Sequence, residues 1–141
     1  YSVQAIGTSP APTAAGIVVL AVDSMAARSE IWRSVVRYRA RVPLLIDARM
    51  GAQVCRVLTV RPSDPDDVRF YESTLYADAE ALDEPCTAQA IVYTTFGVAA
   101  LIAGQAKRYA AGEPLDADII FDFVTLSLIV GDGRTDDDTI D

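Results

Sequence analysis

Two short, uninterrupted apolar runs near the start of the chain predict buried β-strands. Residues 17–22 read IVVLAV, and residues 42–47 read VPLLID. A continuous run rich in β-branched residues is typical of a strand that is covered on both faces. Between the two runs, apolar residues recur at helical spacing after Asp23 and Ser24, which are both good N-cap residues. The order strand, helix, strand predicts a parallel pair.

The pattern becomes weaker after the second strand. Residues 53–60, QVCRVLTV, alternate and predict a third strand that lies nearer the edge of the sheet. Residues 61–85 are rich in proline and acidic residues and show no period, so they predict a long irregular segment. Its aromatic residues, Phe70, Tyr71 and Tyr76, could anchor that segment to the body of the domain.

Residues 86–105 contain no charged residue and predict a long helix. A membrane span is the alternative, since about 20 apolar residues are enough to cross a bilayer. The polar side chains of Gln89 and Gln105 and the many small residues favour a helix buried in a protein core. Gly112 is the natural end of this helix. Residues 119–123 and 126–130 predict one or two closing strands.

The two ends of the chain show no structural period. Residues 1–16 are rich in proline, alanine, serine and threonine and are typical of a connector. Residues 131–141 form an acidic tail, for which we expect disorder. The domain is therefore expected to span residues 17–130.

Composition narrows the possible functions. The chain has 141 residues and a net charge of −8, which argues against a nucleic-acid partner. It has no histidine, which excludes a Ser-His-Asp triad, a Cys-His dyad and a histidine-ligated metal. Two cysteines without a basic and apolar leader favour reduced thiols and a cytoplasmic location.

Four stretches, in this order and spacing, resemble the C-terminal half of the ThiF/MoeB/E1-like adenylyltransferases. They are VVLAVDSMAAR, PLLIDARMGAQVCRVLTV, EPCTAQAIVYTTFGVAALIAGQAKRYAAGEPL and IIFDFVTLSLIV. The first is similar to the family's strand and D-N-x-x-x-R turn, and the third to its cysteine-initiated helix. The resemblance implies an α/β fold, the C-terminal part of a Rossmann-like, mostly parallel sheet with an antiparallel closing strand pair and one long buried helix.

The resemblance also implies an activity, which is the ATP-dependent adenylation of the C-terminus of a ubiquitin-like or sulfur-carrier protein. The cofactors would be ATP and Mg²⁺. The chain contains no G-x-G-x-x-G turn, so the phosphate-binding half would be supplied elsewhere, and we expect a homodimer or a complementing N-terminal half as partner. The alternative is a non-catalytic, truncated E1-like module that acts in dimerisation or carrier binding. A different Rossmann-like enzyme is a weaker possibility, since its Gly-rich turn is also missing.

Asp23 is the candidate ligand for Mg²⁺ and the ATP phosphates, because it matches the aspartate of the family's turn. Independently of the family, a carboxylate after a parallel strand points into the ligand crevice, and Mg²⁺ prefers hard oxygen ligands. The alternative is that Asp23 only caps the following helix. The family usually has asparagine where this chain has Ser24.

Cys86 and Arg49 are the other candidates. Cys86 aligns with the cysteine that takes up the carrier covalently in some members of the family, although a buried, inert thiol is the alternative. Arg49 aligns with an arginine that lines the nucleotide or carrier channel, and a salt bridge with Asp47 is the alternative. We interpret Cys55 as core packing.

Residues 62–85 resemble the family's crossover loop, under which the carrier's tail threads. Many members hold this loop with zinc bound by C-x-x-C pairs. In this chain Tyr71 and Thr74 occupy the corresponding positions, so the resemblance implies a zinc-free member whose loop is held by packing alone. That departure argues against a housekeeping role in thiamin or molybdopterin synthesis.

Overall fold

The computed structural model describes residues 16–76 and 92–132, which form a five-stranded sheet with helices on both faces. The elements in chain order are β1 (Ile17–Leu20), α1 (Met25–Ile31), which continues as a π-helical turn (Trp32–Val36), β2 (Leu44–Gly51), β3 (Val54–Val60), α2 (Pro65–Ser73), α3 (Val92–Ala111), β4 (Asp118–Asp122) and β5 (Ser127–Gly131).

The strands follow one another in space in the same order as in the sequence, from β1 to β5. β1 and β2 are parallel, as predicted from the two apolar runs. The other three pairings are antiparallel, so the expectation of a mostly parallel sheet is wrong for the described strands. Only Ala52 and Gln53 separate β2 from β3, and such a short connection permits an antiparallel hairpin but no crossover. β3 lies at the centre of the sheet, not near its edge.

One face of the sheet packs against α1, its π-helical extension and α2. The core on this side is built around Trp32, Val36, Leu45, Leu58 and Tyr71, each at most 1% exposed. The other face packs against α3, and Leu44, Ile46, Val57 and Ile119 are buried there. Both faces of the first part of β2 and the last part of β3 are therefore covered, which explains the uninterrupted apolar run Leu44–Ile46 in β2.

Part of the segment that was predicted to be irregular is helical. α2 begins after Asp64, whose carboxylate accepts a hydrogen bond of 2.9 Å from the backbone N–H of Asp66, and Pro65 lies in its first turn. The capping residue and the proline specify this helix, while its apolar side chains are too few to show a period. Phe70 and Tyr71 anchor it to the core as predicted, whereas Tyr76, the third aromatic residue of that prediction, is 46% exposed. The rest of the segment, from residue 77, lies outside the described residues.

Among the described residues, α3 is covered by the sheet on one face only, so the prediction of a helix buried in a protein core is wrong for its other face. Thr94, Val98 and Gln105 are buried against the sheet, whereas Val92 and Phe96 are 68% and 72% exposed. Within the described ranges no helix is long and apolar enough to cross a membrane. α3 ends at Ala111, and the φ of +67° at the following Gly112 fits its predicted role as the stop.

β4 and β5 form the predicted antiparallel closing pair. Arg56 of β3 holds this hairpin to the rest of the sheet through two hydrogen bonds of 2.8 Å to the carboxylate of Asp118. β1 and β5 are the two edge strands of the described sheet. The connector and the acidic tail, apart from Gly16, Gly131 and Asp132, lie outside the described residues.

Candidate functional site

The carboxyl end of the parallel pair brings two of the three candidate residues to one end of the sheet. Leu20, the last residue of β1, is paired with Asp47 of β2. β2 then continues past β1 through Arg49 to Gly51. Asp23 follows β1 by three positions. Asp23 and Arg49 therefore lie at the same end of the sheet, which is where ligands of α/β proteins commonly bind.

Asp23 is exposed, and it does not cap α1. The cap is Ser24, whose hydroxyl accepts a hydrogen bond of 3.1 Å from the backbone N–H of Ala27. The interpretation of Asp23 as the capping residue is therefore wrong. Its carboxylate is left available at the junction between β1 and α1.

Asp47 is the buried anion beneath this junction, and its side chain is fully inaccessible to solvent. Three side chains donate hydrogen bonds to it: Arg28 through Nη1, Arg49 through Nε at 3.0 Å, and Tyr71 through its hydroxyl at 3.2 Å. A buried carboxylate is tolerated only with such partners. Two arginines around one carboxylate leave this cluster with a net positive charge.

Arg28 connects this cluster to the backbone next to Asp23. Its Nη2 donates a hydrogen bond of 2.7 Å to the carbonyl of Val22, and its Nε has no hydrogen-bond partner among residues 16–76 and 92–132. The side chain is only 5% exposed. Burial lowers the pKa of the Arg28 guanidinium, and the neighbouring charge of Arg49 lowers it further. The hydrogen bond from Arg28 to the carbonyl of Val22 fixes the backbone next to Asp23.

Arg49 forms a salt bridge with Asp47, which is the alternative to a role in a nucleotide or carrier channel. It also donates hydrogen bonds of 2.9 Å to the carbonyl and 2.8 Å to the hydroxyl of Thr74. Burial lowers the pKa of the Arg49 guanidinium, while the neighbouring Tyr71 acts in the opposite direction. Since the side chain is still 14% exposed, it reaches the surface at this end of β2.

Tyr71 and Thr74, the positions at which the family's zinc ligands would stand, hold α2 to the end of β2. Tyr71 is fully buried, and its ring lies 4.7 Å from that of Trp32 in an edge-on arrangement. Burial raises the pKa of the Tyr71 hydroxyl, against the opposing charges of Arg49 and Arg28. Glu72 adds hydrogen bonds from Trp32 and Arg37, at 3.0 and 2.9 Å. The expectation that packing alone holds this region is therefore wrong for its described part.

The two cysteines have different outcomes. Cys55 is buried in the core between β3 and α3, as predicted, and burial raises the pKa of its thiol. Cys86 lies outside the described residues, so its proposed covalent role stays a prediction.

In the described part of the chain, neither a metal-binding cluster nor a cleft is found at Asp23 and Arg49. Among residues 16–76 and 92–132, no group of three or more histidine, cysteine or acidic side chains is arranged to hold a metal ion. Two open clefts on the described surface are lined by other residues than Asp23 and Arg49.

No protein-family model matches the chain, and a search of curated proteins finds no match. The resemblance to the ThiF/MoeB/E1-like family therefore stays a prediction that rests on the four sequence stretches.

The sequence analysis did not single out Arg28, Asp47 or Tyr71 as members of one cluster. A signal was present, because Asp47 directly follows the apolar run Leu44–Ile46 within β2, and a buried charge requires a partner. The partners come from α1 and α2, and which side chains would meet Asp47 depends on how these helices lie on the sheet.

Proposed function

We propose that this chain is the C-terminal half of a ThiF/MoeB/E1-like adenylation domain with a Rossmann-like sheet, and that it contributes the carboxylate side of a Mg·ATP site. The position of Asp23 carries the proposal. Asp23 lies three residues after β1 of the parallel pair, is exposed, and takes no part in capping α1. This is where a ligand of an open α/β sheet is expected.

The edge position of β1 supports the idea of a partial domain. Among the described strands β1 pairs only with β2, so its other edge is open to a further strand. Val19 in the middle of β1 is 45% exposed, which is unusual for an apolar strand residue in an α/β sheet. A complementing half with a Gly-rich turn, supplied by the same or another chain, would extend the sheet here.

The donor set at this end fits Mg²⁺ that arrives with phosphates. Mg²⁺ is commonly held by one or two carboxylates together with phosphate oxygens and waters, and Asp23 offers one such carboxylate. When bound, Mg·ATP would supply the adenylyl group and neutralise charge on the phosphates. Arg28 would hold the carbonyl of Val22 and so position Asp23, while Arg49 offers a partly exposed guanidinium for a phosphate or a carboxylate tail.

The test is ATP–pyrophosphate exchange in a protein that carries this chain together with the Gly-rich half and its carrier. We expect Asp23→Asn to lower the exchange rate about 100-fold, the size of effect typical for a group that stabilises transition-state charge. Glu30→Gln, an exposed acidic position on α1, is the matched control and should leave the rate unchanged. An Asp23→Asn variant with full activity would refute the proposal.

The described chain alone should bind Mg·ATP poorly, because only one candidate phosphate-site carboxylate is present. Isothermal titration that shows micromolar affinity for the 141-residue chain would contradict a split site.

Exposed apolar surface favours a second candidate function, a non-catalytic module that dimerises or binds a carrier protein. Leu128, Ile129 and Val130 of the edge strand β5 are 57%, 61% and 50% exposed. Apolar edge strands are readily paired by another chain. Sedimentation velocity separates the two candidates: a stable homodimer that lacks exchange activity even with the Gly-rich half would favour the module.

A further inference from the structure

A basic cleft lies at the end of the sheet where β2 begins and β3 ends. It has a volume of about 380 Å³, and its walls include Arg37, Arg39, Arg61 and the exposed ring of Tyr38. None of the described residues that line it is acidic. The chain carries a net charge of −8 and only 12 basic residues, and three of these 12 line this single cleft.

The three guanidinium groups keep donors for a further anion. Arg37 uses Nε to bond Glu72 at 2.9 Å, and no described residue bonds its Nη1 or Nη2. Arg39 donates from Nη2 to a backbone carbonyl at 3.2 Å and has no carboxylate partner in the described part of the chain. The Nη1 of Arg61 is 3.9 Å from the carboxylate of Asp67, which is too far for a hydrogen bond.

The acidic tail leaves the sheet beside this cleft. β5 ends at Gly131, which pairs with Asp118 at the start of β4, and at this same end of the sheet β3 runs into Arg61. Asp132 and Arg61 line one neighbouring cleft, and Arg61 also lines the basic cleft. Four extended residues span about 13 Å and six span about 20 Å. Residues 136–138, which begin four positions after Asp132, therefore reach the basic cleft.

We propose that the three consecutive aspartates at residues 136–138 bind in the basic cleft and pair with Arg37, Arg39 and Arg61. The planar guanidinium group of arginine matches a carboxylate, and the segment offers three carboxylates to three arginines. Such pairing needs no helix or strand, in agreement with a tail whose sequence shows no period. The tail thereby keeps other anions out of the cleft. This proposal does not depend on an adenylation activity.

Tethering favours this segment over an anion from outside the chain. A separate polyanion approaches a molecule with a net charge of −8, which repels it. A segment attached through a short linker is present at an effective concentration on the order of millimolar. Because ion pairs on a protein surface are individually weak, three of them hold a tethered segment at a concentration where a free ligand would stay unbound.

The test measures how readily the full chain binds an added polyanion. Labelled hexaglutamate is titrated by fluorescence anisotropy with the wild type and with a tail variant that carries Asp136→Asn, Asp137→Asn and Asp138→Asn. We expect the tail variant to bind the probe at least about five-fold more tightly, because its tethered competitor is neutral. About 1 M salt should abolish the difference, since it screens exposed charges.

A second triple variant controls for the change in net charge. It carries Glu30→Gln, Glu113→Gln and Asp122→Asn, which also remove three negative charges, and none of these positions lines the basic cleft. At about 0.1 M salt, where charges more than about 10 Å apart are largely screened, this variant should bind hexaglutamate as the wild type does.

Single arginine variants assign the binding to the cleft. In the tail variant, Arg39→Ala should weaken the binding of hexaglutamate about three-fold. Arg33→Ala, which removes an exposed arginine that does not line the cleft, should leave the binding unchanged. Urea unfolding of each variant shows that the fold is intact.

Equal affinity of the wild type and the tail variant for hexaglutamate would overturn the proposal, and so would the absence of binding by both. An equal gain in the control variant would assign the effect to net charge alone and would also refute it. If Arg39→Ala left the affinity of the tail variant unchanged, the anion would bind outside the cleft, which again contradicts the proposal.

Discussion

The ring of Phe123 lies directly against the backbone of Gly97 on the sheet-facing side of α3. A Cβ atom at Gly97 would stand 2.9 Å from Cε1 and 3.1 Å from Cε2 of that ring, and closer still to Cζ. Phe123 also packs edge-on against Phe121, with ring centroids 4.5 Å apart, and lies 5.6 Å from the ring of Tyr93. The missing side chain at position 97 therefore allows α3 to lie close to the end of β4.

Gly97→Ala is expected to lower the free energy of unfolding by about 1–2 kcal/mol, because the new methyl group displaces the Phe123 ring from its aromatic neighbours. The gain in helix propensity offsets only part of this loss. Gly104→Ala on the same helix is the control, since a Cβ there meets nothing within 4 Å. That variant should gain about 0.5–1 kcal/mol. Urea unfolding of both variants measures their free energies of unfolding. Equal changes in the two variants would show that the Phe123 contact is unimportant.

Removing the charge of Asp47 should be the most damaging polar substitution at the candidate site. Asp47→Asn leaves the Arg28 guanidinium buried without an anion, which typically costs about 3–5 kcal/mol. Tyr71→Phe removes only one hydrogen bond to Asp47 and should cost about 1 kcal/mol.

The exposed pair Lys107–Glu113 provides the comparison for these two variants. Glu113→Gln should change the unfolding free energy by less than about 0.5 kcal/mol, as measured in urea. An Asp47→Asn variant as stable as Glu113→Gln would contradict the view that this network organises the site.

Stability at alkaline pH should depend on Tyr71. Burial raises the pKa of its hydroxyl in the folded protein. The proton is therefore held more tightly in the folded state, and the associated stability is complete below the ordinary tyrosine pKa of about 10 and is lost as pH rises through the higher folded value. At pH 8 the wild type should be more stable than Tyr71→Phe, and this advantage should shrink above about pH 10. Urea unfolding of both proteins from pH 8 to above about pH 10 measures this difference in stability. A difference that does not change with pH would contradict the raised pKa of Tyr71.

Replacing the hydroxyl of Thr59, which has no hydrogen-bond partner in the described part of the chain, should stabilise the protein. Thr59→Val keeps the shape of the side chain and removes a buried polar group, so we expect a gain of about 1 kcal/mol. Thr94 is equally buried, but its hydroxyl donates to the carbonyl of Ala52 at 3.3 Å. Thr94→Val should give no such gain. Thermal or urea unfolding of both variants separates the two cases, and a loss of stability in Thr59→Val would refute the premise.

The apolar pattern alone was enough to predict the parallel pair β1–β2, the central helix α3 and the closing hairpin. It failed for α2, where Asp64 and Pro65 start a helix that has few apolar positions to reveal a period. It also misjudged α3, because an uncharged sequence shows that a helix avoids charge but not how many elements pack around it. Only the structure shows that the side chain of Phe96 is exposed on the face of α3 that does not contact the sheet.

The candidate site was predictable to the extent that it follows from strand ends. Asp23 follows β1, and Arg49 lies in the part of β2 that extends past the end of β1, so the parallel pairing alone places both at one end of the sheet. The network around Asp47 was not predictable, because Arg28 lies 19 residues before it and Tyr71 lies 24 residues after it. Their meeting depends on how α1 and α2 pack on the sheet.

The described sheet consists of β1 and two hairpins, β2–β3 and β4–β5, that are each local in sequence and meet where β3 pairs with β4. The connections within the hairpins are short, whereas the Arg56–Asp118 ion pair on the shared boundary joins residues 62 positions apart. Closing so long a loop costs more entropy than forming either hairpin, and distant pairings slow folding. The β3–β4 boundary should therefore form late, and substitutions along it should alter the folding rate less than the unfolding rate.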